Sequence, residues 1–463
     1  MLPGESRNPA DRDGHPTPLP EPIAMQDIAV YRRRREALAL GMKQGTAIVP
    51  TAPERIRNRD SHYPFRFDSY FHYLTGFPEP DAVLVIVAGN APQTMLFCRE
   101  KDSEREIWDG FRYGPEAAKE RFGLDEAHPI AKLDELMPGL IQNQPALFHA
   151  IGADAVWDGR VTGWLNQVRA RAREGVSAPD RICDVRNLLD EMRLRKGEEE
   201  IALIRQAGRI AAAGHVRAMR HVRPGMRENE IEAELLHEFR RRGAQAPSYS
   251  PIVAGGANAC VLHYVRNDAL LADGDLILID AGCELDGYAS DITRTFPVNG
   301  RFRPVQRDVY DLVLAAQAAA LEQVKPGHSW DRPHEAAVRV LAQGFLDLGL
   351  LDGSLDQVLE AGDYKRFYMH RTGHWLGLDV HDTGDYKRDG VWRPLEPGMV
   401  MTVEPGCYIR PAEKVPERFW NIGVRIEDDV VVTSTGSEIL TDRAPKAPAE
   451  IEQLMADART VVA

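Results

Sequence analysis

The sequence lacks the features of several classes of protein. Its 463 residues include five cysteines, which are widely spaced and form no C-x-x-C pair, so a disulfide framework and a zinc ribbon are excluded. No apolar run reaches the length of about 18 residues that a membrane-spanning helix needs. Positive charge is in deficit, with 57 Lys and Arg against 70 Asp and Glu, and the net charge of −13 argues against a nucleic-acid surface. We therefore expect a cytoplasmic protein that binds neither nucleic acid nor membrane.

The chain is too long for one ordinary hydrophobic core, and its pattern divides it into a tail and two domains. Residues 1–24 are polar, rich in Pro and Gly, and lack the apolar core of a signal peptide, so we expect a flexible tail, with Met25 as an alternative start. Residues 25–195 alternate strand-like and helix-like segments, which predicts an α/β domain. The basic run YRRRREAL at 31–38 is expected to be the solvated face of its first helix.

The second domain is expected to span residues 196–463. The charged stretch EMRLRKGEEE at 191–200 predicts the boundary. Beyond it, helices followed by a pair of strands occur twice, which predicts an α+β domain whose halves share one layout. The predicted strand pairs are 276–282 with 288–296 and 398–404 with 422–433.

Acidic residues interrupt these predicted strands. Asp280 ends the apolar run LILID, and Asp291 lies in YASDITRTFPV, so a regular hairpin would place the two carboxylates opposite each other. Like charges in that arrangement destabilise a sheet unless a cation or a proton neutralises them. Glu404 in MVMTVEPG and Glu427 in GVRIEDD repeat the pattern downstream.

A histidine cluster lies between the two acidic pairs, in the segment MHRTGHWLGLDVHD. It contains His370, His374 and His381, and His263 in CVLHYVRND is a fourth candidate. The spacing of the first two resembles half of a zinc-protease helix, but Arg371 stands where H-E-x-x-H requires the general base. The glycines of the segment also argue against a regular helix, so we expect a loop or strand that presents histidines.

Four carboxylates and at least one histidine form an oxygen-rich donor set, which favours hard divalent ions such as Mn²⁺, Mg²⁺ or Fe²⁺, with Co²⁺ tolerated. One divalent ion would leave two buried negative charges, whereas two ions balance four carboxylates. Such a pair of ions can hold and deprotonate a shared water. Salt bridges to Arg294 or Arg425 are the alternative explanation for the acids, but they suit four acids in two hairpins less well.

Five separate motifs resemble those of the pita-bread-fold metallopeptidases and follow the order found in that group. The resemblance is closest to the aminopeptidase P (Xaa-Pro aminopeptidase) family. The motifs are RNRDSHYPFRFDSYFHYLTGF, DAGCELDGYASDITRTFPVNG, HWLGLDVHD, MTVEPGCYI and GVRIEDD. The likeness runs from about residue 28 to about residue 455. It implies an α/β N-terminal domain and an α+β catalytic domain of the pita-bread (creatinase/aminopeptidase) fold. It also implies a metal-dependent exopeptidase that hydrolyses the N-terminal Xaa-Pro bond of peptides through a hydroxide bridging two ions.

The resemblance implies a role for each matching residue. The implied metal ligands are Asp280, Asp291, His374, Glu404 and Glu427, of which Asp291 and Glu427 bridge the ions. The implied catalytic and substrate-binding residues are His263, His370 and His381, with Glu404 as proton carrier and Tyr408 and Arg425 as a relay to Asp280. Trp108 resembles an aromatic residue that a neighbouring subunit lends to the substrate pocket. The implied cofactor is a pair of divalent ions, first of all Mn²⁺, with Co²⁺, Fe²⁺ or Zn²⁺ accepted in vitro, and the implied assembly is a homo-oligomer, a tetramer or a dimer.

Two other functions remain open at this point. A prolidase, which cuts only Xaa-Pro dipeptides, would share the fold and all five ligands, and Arg393 or Arg388 would then bind the substrate's C-terminal carboxylate. A catalytically silent binding protein on the same fold is the second alternative, and the intact ligand set argues against it. A methionine aminopeptidase is disfavoured because it needs no large first domain.

Overall fold

The computed structural model describes residues 27–460, so the predicted tail at 1–24 and the alternative start at Met25 lie outside the described residues. The first part of the chain is an α/β unit, as predicted. Its helices are α1 Ile28–Met42, α2 Ser69–Thr75, α3 Ser103–Asp109, α4 Gly114–Phe122, α5 Leu133–Ile141, α6 Ala155–Ala170 and α7 Arg186–Leu194. Its strands are β1 Gly45–Pro50, β2 Ile56–Asn58, β3 Ser61–His62, β4 Val83–Ala88, β5 Gln93–Cys98, β6 Glu126–Pro129, β7 Ala146–His149 and β8 Arg181–Asp184.

A six-stranded mixed sheet, in the order β6-β5-β4-β1-β7-β8, carries helices on both faces. In β1, Ala47 and Val49 pack into one hydrophobic core together with residues of α1 and α4. Ile48, between them, packs into the opposite core with residues of α5 and α6. Successive side chains of a strand point to opposite faces, so a sheet buried on both faces needs almost continuous apolar runs. The runs TAIVP, AVLVIVAG and TMLFC are these strands.

The short helix α2 has clear start and stop signals. Asp68 accepts a hydrogen bond from the Phe71 backbone N–H at 2.9 Å, and Gly76, with φ of 62°, ends the helix in a left-handed conformation. His72 of this helix is buried, and its ring stacks on Phe67 with centroids 3.6 Å apart. Its Nδ1 has no hydrogen-bond partner among residues 27–460, and burial lowers the pKa of His72 to about 3.

The prediction of a solvated basic run is wrong for two of its arginines. Arg34 and Arg35 are only 7% and 1% exposed. Arg35 donates hydrogen bonds to the carbonyl oxygens of Leu74 and Gly123 at 2.9 and 2.7 Å. Arg34 lies 3.2 Å from the carboxylate of Glu200, at the start of the second part of the chain. Buried charges persist only with such partners, so these arginines tie α1 to the rest of the molecule.

The second part of the chain is α+β. Its helices are α8 Glu198–His221, α9 Glu228–Arg241, α10 Pro304–Leu321, α11 Arg332–Asp347, α12 Leu355–Ala361 and α13 Pro448–Thr460. Its strands are β9 Ala246–Pro247, β10 Ile252–Gly255, β11 Leu276–Asp280, β12 Cys283–Leu285, β13 Tyr288–Ala289, β14 Thr293–Pro297, β15 Lys387–Arg388, β16 Val391–Trp392, β17 Val400–Val403, β18 Gly406–Ile409, β19 Ile422–Arg425, β20 Asp428–Val432 and β21 Ser437–Ile439. Helices α8 and α9 precede the pair β11 and β14, and α10 and α11 precede the pair β17 and β20. The twofold layout read from the sequence is therefore confirmed, whereas the division at 195/196 stays a prediction.

The predicted register of the first hairpin is wrong by two residues. In the pairing of β11 with β14, Asp280 lies opposite Thr293 and not opposite Asp291. The chain between these strands leaves the ladder, because β12 and β13 join β9 in a separate sheet. Gly282 permits this crossing, since a Cβ atom there would lie 1.7 Å from the carbonyl oxygen of Ser290. Asp291 therefore lies in the connecting segment, two residues before β14.

The cysteines and the helices agree with two expectations from the composition, which concerned disulfide bonds and membrane-spanning segments. All five cysteines are unpaired. Within residues 27–460, no helix combines the length and the apolar character that crossing a membrane requires.

Candidate metal centre

Strand ends of the α+β part meet at one cavity of about 750 Å³, a volume typical of small-ligand sites. Asp280 ends β11, Glu404 follows β17, and Glu427 lies between β19 and β20. The predicted ligands that line this cavity are Asp280, Asp291, His374, Glu404 and Glu427. The fold thus brings together all five residues, which are spread over 148 positions of the chain (280 to 427).

The histidine segment is not a helix, as predicted; it is an irregular segment that runs beside β17 and forms an isolated bridge between Trp375 and Met401. The backbone N–H of Thr402 donates to the carbonyl oxygen of His374 at 3.0 Å, and the Thr402 hydroxyl accepts from the His374 N–H at 3.1 Å. Gly373 permits this approach, because a Cβ atom there would lie 2.1 Å from the carbonyl oxygen of Thr402. The glycine therefore allows the segment to pack closely against β17, and this packing sets where the imidazole of His374 enters the cavity.

Three of the five predicted ligand side chains form a compact group. One donor atom each from Asp291, His374 and Glu427 lie within 4.8 Å of one another. His374 Nε2 lies 3.4 Å from Asp291 Oδ2 and 3.7 Å from Glu404 Oε1. His374 Nδ1 lies 2.9 Å from the carbonyl oxygen of Trp375. A proton on Nδ1 leaves the lone pair of Nε2 for a metal ion, which is the usual arrangement of a ligating histidine.

Asp280 is approached by two hydrogen-bond donors. Arg425 Nη2 lies 2.6 Å from Asp280 Oδ2, so the salt-bridge explanation accounts for part of this charge. The hydroxyl of Tyr249 lies 2.5 Å from Asp280 Oδ1 and 2.5 Å from Asp291 Oδ1, and its single proton can serve only one of them. Arg294, the other candidate partner, makes no ion pair with any of the four acids within the described chain.

Burial opposes the ionisation of the acids in this cluster. Burial raises the pKa of Glu404 to about 7, and burial followed by repulsion from Asp280 raises the pKa of Asp291. Burial likewise raises the pKa of Glu427 well above its usual range. Burial disfavours the charged form of His374, but the hydrogen bond to Asp291 and the charge of Glu404 outweigh it, so its pKa is raised to about 9. Four carboxylates thus face only Arg425 and His374 as positive charges, and the oxygen-rich donor set fits divalent cations, which would take the place of the proton on His374 Nε2.

The other predicted histidines line the same cavity. His263 and His381 are exposed, and His370 is half-buried. His370 Nε2 lies 2.8 Å from the hydroxyl of Tyr408, which also accepts a hydrogen bond from Arg425 Nη1 at 3.0 Å. Burial and the charge of Arg425 lower the pKa of His370 to about 3, so this imidazole is neutral. The side chains of His370, Tyr408 and Arg425 thus form one chain of hydrogen bonds that ends at an acid of the cluster.

Four predicted residues do not line the cavity: Trp108, Arg388, Arg393 and Tyr408, of which Tyr408 is hydrogen-bonded to two residues that do, His370 and Arg425. Trp108 lies on α3 and is 83% exposed. Contrary to the prediction, Arg393 is only 3% exposed and binds Glu191 at 2.9 Å. Arg388 pairs with the same carboxylate. Both arginines are thus held by one acid from α7, which the sequence pattern did not indicate.

Sequence reasoning also missed several residues that line the cavity. Tyr249, in the turn-like stretch SYSP, carried no recognisable signal. Arg371 drew attention only as the residue that breaks the zinc-protease pattern. Trp392 belongs to a short hairpin, and its place in the cavity depends on tertiary packing alone.

A buried cluster of acids with one histidine, open to a cavity between paired strands, defines a metal-dependent hydrolase. Residues 202–434 match metallopeptidase family M24, and residues 31–148 match the aminopeptidase P N-terminal domain. The chain belongs to metallopeptidase family M24, in its aminopeptidase P branch.

Individual relatives agree with this assignment. The chain is 46% identical to the Xaa-Pro aminopeptidase of Escherichia coli strain K12 over 432 residues, which is 93% of this chain and 98% of the relative. The structure of Pseudomonas aeruginosa aminopeptidase PepP superposes with a TM-score of 0.92 at 51% identity, covering 94% of this chain and 99% of that one. Aminopeptidase P from E. coli with the inhibitor Pro-Leu superposes with a TM-score of 0.92 at 46% identity, covering 94% and 100%.

Proposed function

We propose that this protein is a metal-dependent aminopeptidase that hydrolyses the peptide bond between an N-terminal residue and a following proline. The observation that carries the proposal is the convergence of four carboxylates and one histidine on a single cavity. The similarity to the E. coli Xaa-Pro aminopeptidase, which extends over 93% of the chain, supports the substrate class.

The residues proposed to hold the metal are Asp280, Asp291, His374, Glu404 and Glu427. We propose two divalent ions, because two charges of +2 balance four carboxylates. Mn²⁺ is the first choice for such oxygen donors, and Co²⁺, Fe²⁺ or Zn²⁺ are alternatives in vitro. Bound ions of this kind supply an activated water and polarise the substrate carbonyl.

The remaining groups bind the substrate and move protons. His263 and His381, which are exposed to the cavity, are proposed to donate hydrogen bonds to the carbonyl oxygen as negative charge develops on it. Glu404 is proposed to take a proton from the attacking water and to pass it to the leaving proline nitrogen, which becomes a secondary amine on cleavage. His370 is proposed to contact the substrate, held in place by Tyr408.

Three wider features remain proposals. Trp108 is proposed to reach the pocket of a neighbouring subunit in a homo-tetramer or dimer, and its 83% exposure in one chain leaves the ring available. A cytoplasmic location is supported by the five unpaired cysteines. The domain division at 195/196 is supported by the break between α7, which ends at Leu194, and α8, which begins at Glu198.

A cleavage assay on the Mn²⁺-loaded protein tests the proposal. It compares an Arg-Pro-Pro tripeptide, an Xaa-Pro dipeptide and a tripeptide without proline at the second position. We expect release of the first residue, fastest from Arg-Pro-Pro, and no cleavage of the peptide without proline. Cleavage of the dipeptide alone would instead indicate a prolidase. Absence of any cleavage, with no metal bound on elemental analysis, would indicate a silent binding protein.

The structure weakens the case for a prolidase. The groups proposed to bind the dipeptide's C-terminal carboxylate were Arg393 and Arg388, and Glu191 binds both. The pKa of Glu191 is lowered to about 2: although burial opposes ionisation, the hydrogen bonds from these two arginines outweigh it. The carboxylate therefore stays charged at neutral pH and keeps both guanidinium groups.

A further inference from the structure

We propose that Arg371 binds a carboxylate of the substrate on the leaving side of the cleaved bond. The protein would then prefer Xaa-Pro peptides that carry an acidic group shortly after the proline. This inference rests on the aminopeptidase function proposed above and adds a specificity determinant to it.

Arg371 occupies a built position on the cavity wall. It lies in the histidine segment, next to His370, and its backbone carbonyl oxygen is 2.7 Å from His370 Nδ1. Its guanidinium carbon lies 4.8 Å from the ring centre of Trp392, and both residues line the cavity. An arginine placed over an aromatic face keeps its N–H donors for a further acceptor and loses less conformational freedom on binding it.

The guanidinium group of Arg371 is not paired with an acid within the part of the chain that the structure describes. Among residues 27–460, no carboxylate forms an ion pair with it and no acceptor takes a hydrogen bond from its side chain. Arg425, which also lines the cavity, is by contrast committed to Asp280, Tyr408 and Thr293 at 2.6, 3.0 and 3.1 Å. Arg371 is therefore the arginine of the cavity that remains available to a ligand.

Substrate chemistry identifies the ligand as a carboxylate on the leaving side. An aminopeptidase removes one residue, so the charged amino group of the substrate lies one residue from the cleaved bond. The other terminal charge of a peptide is its carboxylate, which lies beyond the proline. In a tripeptide it follows the proline by one residue, and an acidic side chain at the same place offers the same chemistry. A guanidinium group can bind such a carboxylate through two parallel hydrogen bonds.

The test compares matched peptides that differ in one charge. Ala-Pro-Ala with a free C-terminus is compared with Ala-Pro-Ala amide, and Ala-Pro-Glu-Ala amide with Ala-Pro-Gln-Ala amide. We expect wild-type kcat/KM at pH 7.5 to favour the charged member of at least one pair by about three- to tenfold, as a partly exposed ion pair would give. A preference confined to the first pair would identify the C-terminal carboxylate, and one confined to the second pair an acidic side chain.

Three variants separate the role of Arg371 from a general charge effect. R371Q should abolish the preference, and R371K should retain part of it. R366Q is the matched control, because Arg366 is also exposed and lies over an aromatic ring (Phe367, 5.3 Å) but does not line the cavity. It should behave as the wild type. Metal content should be equal in all four proteins.

A binding measurement gives a readout that does not depend on turnover. Calorimetry with Pro-Leu and with Pro-Leu amide should show tighter binding of the acid by wild type and R366Q, and equal binding by R371Q. Equal kcat/KM and equal affinity for acids and amides in the wild type would overturn the inference. A preference for the acid that persists in R371Q would also overturn it. Failure to cleave any of the four peptides would instead overturn the aminopeptidase proposal itself.

Discussion

Replacing Glu228 by Gln should loosen the loop that carries His263. Glu228 is the first residue of α9 and is fully buried. Its two carboxylate oxygens accept four hydrogen bonds at 2.7–2.9 Å, from the backbone N–H groups of Gly255 and Ala269, the side-chain amide of Asn258 and the hydroxyl of Tyr264. Two of these donors precede His263 in the chain and two follow it. One carboxylate therefore holds both ends of the loop.

The expected loss follows from this geometry. A glutamine keeps one accepting oxygen, and its NH₂ group faces at least one obligate N–H donor in either orientation, although the Tyr264 hydroxyl can turn to accept from it. At least one charge-assisted hydrogen bond, worth about 1.5–3 kcal/mol, is lost and the others weaken without the carboxylate charge, so the free energy of local opening should fall by about 3 kcal/mol. At about 1.4 kcal/mol per factor of ten, the amides of Gly255 and Ala269 should exchange about 100-fold faster with solvent.

Hydrogen exchange and steady-state kinetics together test this prediction. The kcat for an Xaa-Pro tripeptide should fall about tenfold or more, towards the value of H263A, because His263 is no longer positioned. Metal content should be unchanged in both variants. Glu230→Gln is the control, since Glu230 lies one half-turn further along α9 and is exposed, and within the described chain its side chain accepts a hydrogen bond from the Arg227 N–H alone, at 2.7 Å. Wild-type exchange at both amides together with wild-type kcat would refute the reasoning.

Two further predictions concern a proposed metal ligand, Asp291, and a buried histidine, His72. Asp291→Asn should remove most of the activity and of the bound metal. The thermal midpoint of the metal-free protein should not fall, because the substitution is nearly isosteric. Full activity with two ions bound would contradict the proposed metal site. His72, with a folded-state pKa of about 3 against 6.5 unfolded, should cost the protein about 1.4 kcal/mol of stability for each pH unit below 6.5. His72→Phe, which keeps a ring against Phe67, should therefore lose about 2 kcal/mol less than wild type between pH 6.5 and pH 5 in denaturant unfolding. Equal losses would show that His72 does not carry this proton linkage.

Local pattern in the sequence was enough for the elements and for the identity of the acids. Continuous apolar runs predicted the strands of the first sheet, because a strand buried on both faces admits few polar residues. Asp280, Glu404 and Glu427 stood out since a carboxylate next to an apolar strand is costly unless something neutralises it. Gly373 and Gly377 argued against a helix in the histidine segment and favoured a loop or strand, and Gly373 lies where no Cβ atom fits.

The tertiary structure decided which charges meet. The hairpin register shifted because the chain between β11 and β14 pairs with β9, a strand that lies far back in the sequence. Arg34 and Arg35 are buried because carbonyl groups and the carboxylate of Glu200 converge on them from other elements. Arg393 was predicted in the pocket but is bound by Glu191, and Arg371 lines the pocket with no ion pair to any acid among residues 27–460. Whether an arginine is exposed depends on hydrogen-bond acceptors that are distant in the chain, and the local sequence does not reveal those acceptors.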